Sequence, residues 1–300
     1  MGGGVQVQRK QTIGTGFLVL CLLRASAWII PSTSASLPET EKQAIVYGII
    51  GIGALLFARR RLFNRLQTTT WTSLSVSSVG LFGLPVVVIG WARGSVTETG
   101  ISALFAAVPA VVAMVVANGT GGVGFMFLTP ALVAFGGALL FLPVGLPESF
   151  HGDLRLAGLI FAILLVGVAS VRMFRLLQQV EYLDAVIAIG LSNAIFLAIF
   201  SLANGSLVWR WNQLTQIISV ASLIDLAEIA LLIWLLREMP PIRLSARYLL
   251  TPLITVIEGY VLLQPQMTTR LLVGAALLTA GTAWILFSPA EENEPVLSLH

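Results

Sequence analysis

Apolar stretches close to twenty residues long follow one another along almost the whole chain, separated only by short polar breaks. A hydrocarbon core about 30 Å thick is crossed by roughly 20 apolar residues in a helix. Inside it every backbone N–H and C=O must be satisfied internally, so spanning segments are helices or strands of a closed barrel. Barrel strands alternate apolar and polar residues, whereas runs such as Leu159 to Ala169 and Leu271 to Phe287 are continuous. Only 10% of the 300 residues are charged and 57% are hydrophobic, against about 25% charged in a soluble domain. The sequence therefore predicts an all-α polytopic membrane protein embedded in a lipid bilayer.

Ten transmembrane helices are expected, near 12–30, 43–58, 71–92, 100–117, 123–142, 154–171, 184–203, 214–236, 246–264 and 270–287. The connections are short, and none holds a soluble domain. A tail over 289–300, with Glu291, Glu292 and Glu294, reads as disordered. With the N-terminus inside, the cytoplasmic side receives Arg9, Lys10, Arg59, Arg60, Arg61, Arg65, Arg172, Arg175, Arg237, Arg243 and Arg247. The other side receives Lys42, Arg93, Arg155, Arg210 and Arg270. That bias follows the positive-inside rule and predicts both termini in the cytoplasm, with a bacterial inner (plasma) membrane as the expected location. The first span, preceded by Arg9 and Lys10, also has signal-peptide character, but loop parity favours ten retained helices.

The chain carries an internal repeat. Trp91 matches Trp234, Ser102-Ala103 matches Ser245-Ala246, Phe105 matches Tyr248 and Pro109 matches Pro252, all in one register. After a one-residue shift Ala131 matches Ala275 and Gly137 matches Gly281. Five helices per copy is an odd number, so the copies are inserted upside down relative to each other. The expected units are 1–146 and 147–288, two inverted five-helix repeats. Such repeats are typical of secondary transporters, although channels and scaffolds also contain them.

The residues Gly90-Trp91-Ala92-Arg93, Ala103-Leu104-Phe105-Ala106-Ala107-Val108-Pro109, Tyr248-Leu249-Leu250-Thr251-Pro252 and Val273 to Gly281 resemble those of the EamA-like family of the drug/metabolite transporter superfamily. The resemblance covers nearly the whole chain as a two-by-five helix layout. It implies an inverted-repeat carrier that exports or exchanges a small metabolite, and it names no substrate. The first span departs from the family pattern, with Arg24-Ala25-Ser26-Ala27-Trp28 where relatives show a Trp-Gly-like step.

An ionisable residue within a span costs about 2.5–3.5 kcal/mol on insertion scales and is a functional candidate by default. Four stand out: Arg24 in the first span, Asp225 and Glu228 in the eighth, and Glu258 in the ninth. Residues at i and i+3 share a helix face, so Asp225 and Glu228 are expected to point the same way. Two nearby carboxylates in a low dielectric favour retention of a proton by one of them, which suits proton coupling. The alternative is that each acid bonds neighbouring hydroxyls and only holds helices together. Arg24, at similar depth to Glu258, is its expected ion-pair partner. Asn193 is a further candidate for the pathway, and Tyr47, Tyr260, Trp91 and Trp234 are either gates or packing residues. Pro85, Pro109 and Pro252 each interrupt a helix ladder and are candidate hinges. Gly136-Gly137 and the stretch from Gly274 to Gly281 suit close packing, either between halves or between protomers of a homodimer.

Enzymatic chemistry finds no support. The two histidines are His151 and His300, the one cysteine is Cys21, and no metal, phosphate-loop or nucleophile-elbow motif occurs. No cofactor, metal or nucleic-acid partner is expected. The partner is a small-molecule substrate, moved by alternating access. The alternatives are a lipid-linked-carrier flippase of related fold, and a non-transporting membrane scaffold or sensor.

Overall fold

A computed structural model describes residues 3–29, 38–58, 68–120, 123–142, 144–145, 149–205, 220–264 and 268–288. Arg59, Arg60, Arg61, Arg65, Arg210, the first residues of the expected eighth span and the tail from 289 lie outside the described residues. Within them the chain forms ten helices. Helix α1 is Gly3–Ala25, prolonged by a 3-10 turn at Ser26–Trp28, and α2 is Glu39–Ala58. Helix α3 runs through Thr68–Ser78, a π-helical turn at Val79–Gly83, and Leu84–Ala92. Helix α4 is Glu98–Phe105 and, after a break at Ala106-Ala107, Val108–Thr120. Then come α5 (Val123–Phe141), α6 (Phe150–Leu177), α7 (Tyr182–Ala203) and α8 (Val220–Glu238). Helix α9 is Pro241–Ser245 and, beyond Ala246, Arg247–Leu263, and α10 is Thr269–Phe287.

Eight of these helices, all but α1 and α8, are long and apolar enough to cross a membrane. The protein is thus an integral membrane protein of helical class. The two exceptions each carry several charges: Arg9, Lys10 and Arg24 on α1, and Asp225, Glu228, Arg237 and Glu238 on α8. Those two helices pack against each other.

Apolar side chains gain little by leaving lipid for protein, so helix association in a bilayer rests on close contact between small residues. The two most extensive seams, α2 on α7 and α5 on α10, are built that way. A Cβ added to Gly190 would lie 2.6 Å from the Gly51 Cα, and one on Gly51 would lie 2.7 Å from the Leu191 amide nitrogen. On the other seam a Cβ on Gly137 would meet the Leu278 amide nitrogen at 2.6 Å, and one on Gly281 the Pro130 carbonyl at 2.5 Å. The glycines Gly137, Gly274 and Gly281 therefore serve a contact within the chain, whereas Gly136 has open space beside it.

The remaining contacts place α3 and α4 on α6, and α1 on α8 and α9. Helix α2 also touches α8, α3 touches α7, and α4 meets α9. Side-chain caps start three helices: Thr97 accepts from Gly100 N, Ser149 from Gly152 N and Thr268 from Leu271 N, each satisfying an amide left without a helical acceptor.

Pro85 stands in the first turn after the π segment, Pro109 in the first turn after the α4 break, and Pro252 inside the second segment of α9. Proline cannot donate to the carbonyl four residues back, which for Pro109 is Phe105 and for Pro252 is Tyr248. Those two residues meet, with ring centroids 5.9 Å apart. Pro130, inside α5, was not singled out among the candidate hinges, yet its carbonyl abuts Gly281.

Candidate functional site

A charge inside a bilayer persists when another charge or a set of hydrogen bonds meets it. On α8, Glu228 Oε2 lies 3.6 Å from Arg24 Nη1 of α1. The Glu228 side chain is 17% accessible and that of Arg24 58%. Arg24 is nonetheless within electrostatic reach of Glu39, Asp225 and Tyr248 from three other helices. It thus stands beside groups of α2, α8 and α9.

One turn earlier on α8, Asp225 Oδ2 lies 2.6 Å from Lys42 Nζ, both side chains being largely enclosed. Helix α2 starts at Glu39, so Lys42 sits in its first turn rather than in the loop where the sequence reading left it. Asp225 and Glu228 thus share a face of α8, but each is bound by a cation from a different helix. The mutual repulsion that would make them a proton-sharing pair is offset by two separate ion pairs.

The expected Arg24–Glu258 pair does not form. Glu258 of α9 instead accepts from Ser26 Oγ at 2.6 Å and from Trp28 Nε1 at 3.1 Å. Both donors belong to the 3-10 turn that follows Arg24. The rotation of α1 about its axis turns Arg24 to α8 and the 3-10 turn after it to α9.

These contacts obey a single pattern. Each acid comes from α8 or α9, and each partner comes from α1 or α2. At the opposite end of the α1–α8 seam Arg9 pairs with Glu238 in the same sense. Between the ends lies a groove of about 490 Å³ lined by Gln11, Thr15, Gly16, Leu231 and Trp234 among others.

Asn193 is not part of this cluster. It is fully buried on α7, where its Nδ2 donates to the Ile189 carbonyl at 2.8 Å and to Ser78 Oγ at 3.2 Å. Ser78 in turn lies 2.8 Å from Ser192 Oγ. The Oδ1 of Asn193 and the Oγ of Ser77 are buried without a partner. This polar patch abuts the π turn of α3, a feature frequent at functional positions. Of the four aromatic candidates, Tyr47 is buried and tilted against Phe82, with centroids 6.0 Å apart. Trp91 and Trp234 each lie over a glycine, Gly158 and Gly16 respectively. Tyr260 is exposed.

Four residues missed in the sequence carry much of the site. Lys42, Ser26 and Trp28 hold the acids, and Arg247 stands at the break in α9. Ser26 and Trp28 lie directly after Arg24 and could have been read with it as one polar turn. Lys42 was legible only by placing the start of α2 at Pro38 and its acidic first turn. Among the described residues no group of three or more His, Cys, Asp or Glu comes together, so no metal site is assigned.

No family model matches this sequence, and no curated protein matches it. A solved crystal structure, described only as that of a protein, superposes with a TM-score of 0.67 over 92% of this chain and 98% of the other, at 16% identity. At that identity the likeness concerns the fold alone.

Proposed function

We propose that this chain is a secondary transporter with an EamA-like layout, in which two inverted five-helix halves rock against each other to expose a central site alternately to either side of the membrane. The contacts that support it come in pairs which exchange when the halves are exchanged. Trp91 of α3 covers Gly158 of α6, and Trp234 of α8 covers Gly16 of α1. In the register that aligns Ala131 with Ala275, Gly137 falls on Gly281 and Pro130 on Gly274. The contacts Gly137–Gly274 and Gly281–Pro130 are then images of one another. Phe105 and Tyr248, matched in the repeat, meet each other, as two-fold related residues near an axis do. This paired set of contacts is the observation that carries the reading, because a two-fold between inverted halves provides two equivalent conformations.

The ion pairs fit such a cycle. Arg24–Glu228, Lys42–Asp225 and the Ser26/Trp28–Glu258 bonds all join the first half to the second at one end of the bundle. Opening that end separates them, and a polar solute or a proton takes the place of a lost partner. Both termini would lie in the cytoplasm of a bacterial cell, on the side of Arg9, Arg172, Arg237 and Arg243.

Uptake by the purified full chain in proteoliposomes tests the reading, using a mixed metabolite pool with and without a pH gradient. Flux is expected for at least one solute, and Glu228→Gln should abolish it while the protein stays folded. Absence of flux for every solute under both conditions would sink the carrier reading and leave the scaffold.

A further inference from the structure

Among the described residues, Arg247 is a cation of a membrane-spanning helix that none of these ion pairs takes up. Arg247 opens the second segment of α9, directly after the break at Ala246. Its Nη2 donates to the Tyr248 hydroxyl at 2.8 Å, and its guanidinium carbon lies 4.7 Å from the centroid of that ring. Its Nη1 is buried and has no hydrogen-bond partner. The three carboxylates of the α8–α9 cluster are engaged elsewhere: Glu228 by Arg24, Asp225 by Lys42, and Glu258 by Ser26 and Trp28. Glu258 is also eleven residues further along the same helix, roughly 16 Å at 1.5 Å per residue, and cannot turn back to it.

Arginine does not lose its proton in a protein, and an enclosed charge without a counter-charge is unfavourable. The fold itself does not demand a cation here, since the matching position in the first half is Leu104. Counted from the sequence among the cytoplasmic arginines, Arg247 stands six residues beyond Pro241 in α9, within electrostatic reach of Tyr47 on α2 and Cys21 on α1. On one side Tyr248 and Phe105 form an aromatic wall. The planar guanidinium fork matches carboxylate and phosphate oxygens. The free edge of such a fork offers a site to an anionic group.

We propose that the transported solute is a small organic anion whose carboxylate or phosphate group pairs with the unpartnered edge of Arg247 while its body lies against Tyr248 and Phe105. This rests on the carrier reading above and adds the substrate class to it.

Thermal unfolding of the detergent-purified full chain, followed by proteoliposome uptake, tests the inference with named probes. Malate, benzoate and glucose 6-phosphate represent the anions, betaine the zwitterions, glucose the uncharged solutes and choline the cations. Phosphatidylglycerol and phosphatidylcholine, added to the detergent, represent lipid headgroups. At least one soluble anion should raise the unfolding midpoint and be taken up. Arg247→Gln should weaken that anion at least tenfold, yet unfold without ligand no earlier than the parent chain, since it removes an uncompensated charge. Arg247→Lys should retain part of the affinity. If Arg247→Gln does not fold, Arg247→Lys decides, and an unchanged anion affinity in it overturns the inference. Selective uptake of glucose, betaine or choline overturns it and leaves the carrier reading intact, as does anion affinity unchanged in Arg247→Gln. Stabilisation by phosphatidylglycerol alone overturns it by assigning the counter-charge to a lipid. Neither binding nor flux with any probe overturns both readings.

Discussion

The α1–α8 seam and the α3–α6 seam are packed alike and charged differently. In each a tryptophan ring edge lies over a glycine, 2.7 Å from a Cβ built on Gly16 in the first seam and 2.8 Å from one built on Gly158 in the second. In each the helix bearing that glycine, α1 or α6, also presents arginines. On α6 these reach hydroxyls, Arg155 to Ser95 Oγ at 2.6 Å and Arg172 to Ser73 Oγ at 3.5 Å. On α1 they reach carboxylates, Arg24 to Glu228 and Arg9 to Glu238. The geometry therefore depends on one large and one missing side chain, and the charges are laid over a seam that packs without them. A helix pair that packs by tryptophan on glycine has nonetheless retained two acids, Glu228 and Glu238.

The largest effect is expected where the charged helix α8 is most enclosed. Lys42→Met would take from Asp225 the cation that contacts it, and removal of one partner from a buried pair costs about 3 kcal/mol or more. Thermal unfolding in detergent should show the loss, and Lys42→Met combined with Asp225→Leu should recover most of it. A single variant as stable as the parent would mean that the pair is solvated and that enclosure of α8 adds nothing to its worth.

Next come the shared elements. Gly16→Leu and Gly158→Leu each force a side chain into a tryptophan ring, and overpacking of this kind costs about 1–3 kcal/mol. The two losses should be equal within error, because the two sites have the same shape. A large loss at one glycine and none at the other would break the equivalence of the seams.

Arg24→Gln separates support from function. The Arg24 side chain is more than half accessible, so solvent screening limits its contribution to stability to about 1 kcal/mol or less. Transport should nevertheless fall to background. The exchanged pair, Arg24→Glu with Glu228→Arg, should restore more activity than Arg24→Glu with Glu258→Arg, since Glu258 is held by Ser26 and Trp28 instead.

How far these contacts could be read from the chain depends on the coordinate involved. Apolar run lengths place a residue along the bundle axis, which is why the helices were legible. Rotation about each helix axis is set by packing, and a single sequence carries little of it. Arg24 and Glu258 face different neighbours for that reason. Lys42 was obscured differently: a helix boundary displaced by four residues moved it from a loop into the first turn of α2, and so from solvent to Asp225. The π turn at Val79–Gly83, with Asn193 against it, has no sequence signature beyond the nearby Pro85.

The smallest expected effects decide what the outer charges are for. Ser95→Ala removes the part-buried hydroxyl that receives Arg155 in the apolar seam, and loss of such a bond costs about 1 kcal/mol. Arg9→Gln removes a full ion pair in the charged seam, but the Arg9 side chain is 69% accessible, and exposed pairs of that kind contribute about 0.5 kcal/mol or less. The neutral partner should therefore matter more to folding than the ionic one, as read from unfolding midpoints of the two variants. If instead Arg9→Gln were the more damaging, and raising the salt concentration reproduced its loss in the parent chain, charge would be a structural support of α1–α8 along its whole length. Glu228 and Glu238 would then need no functional reason to be there.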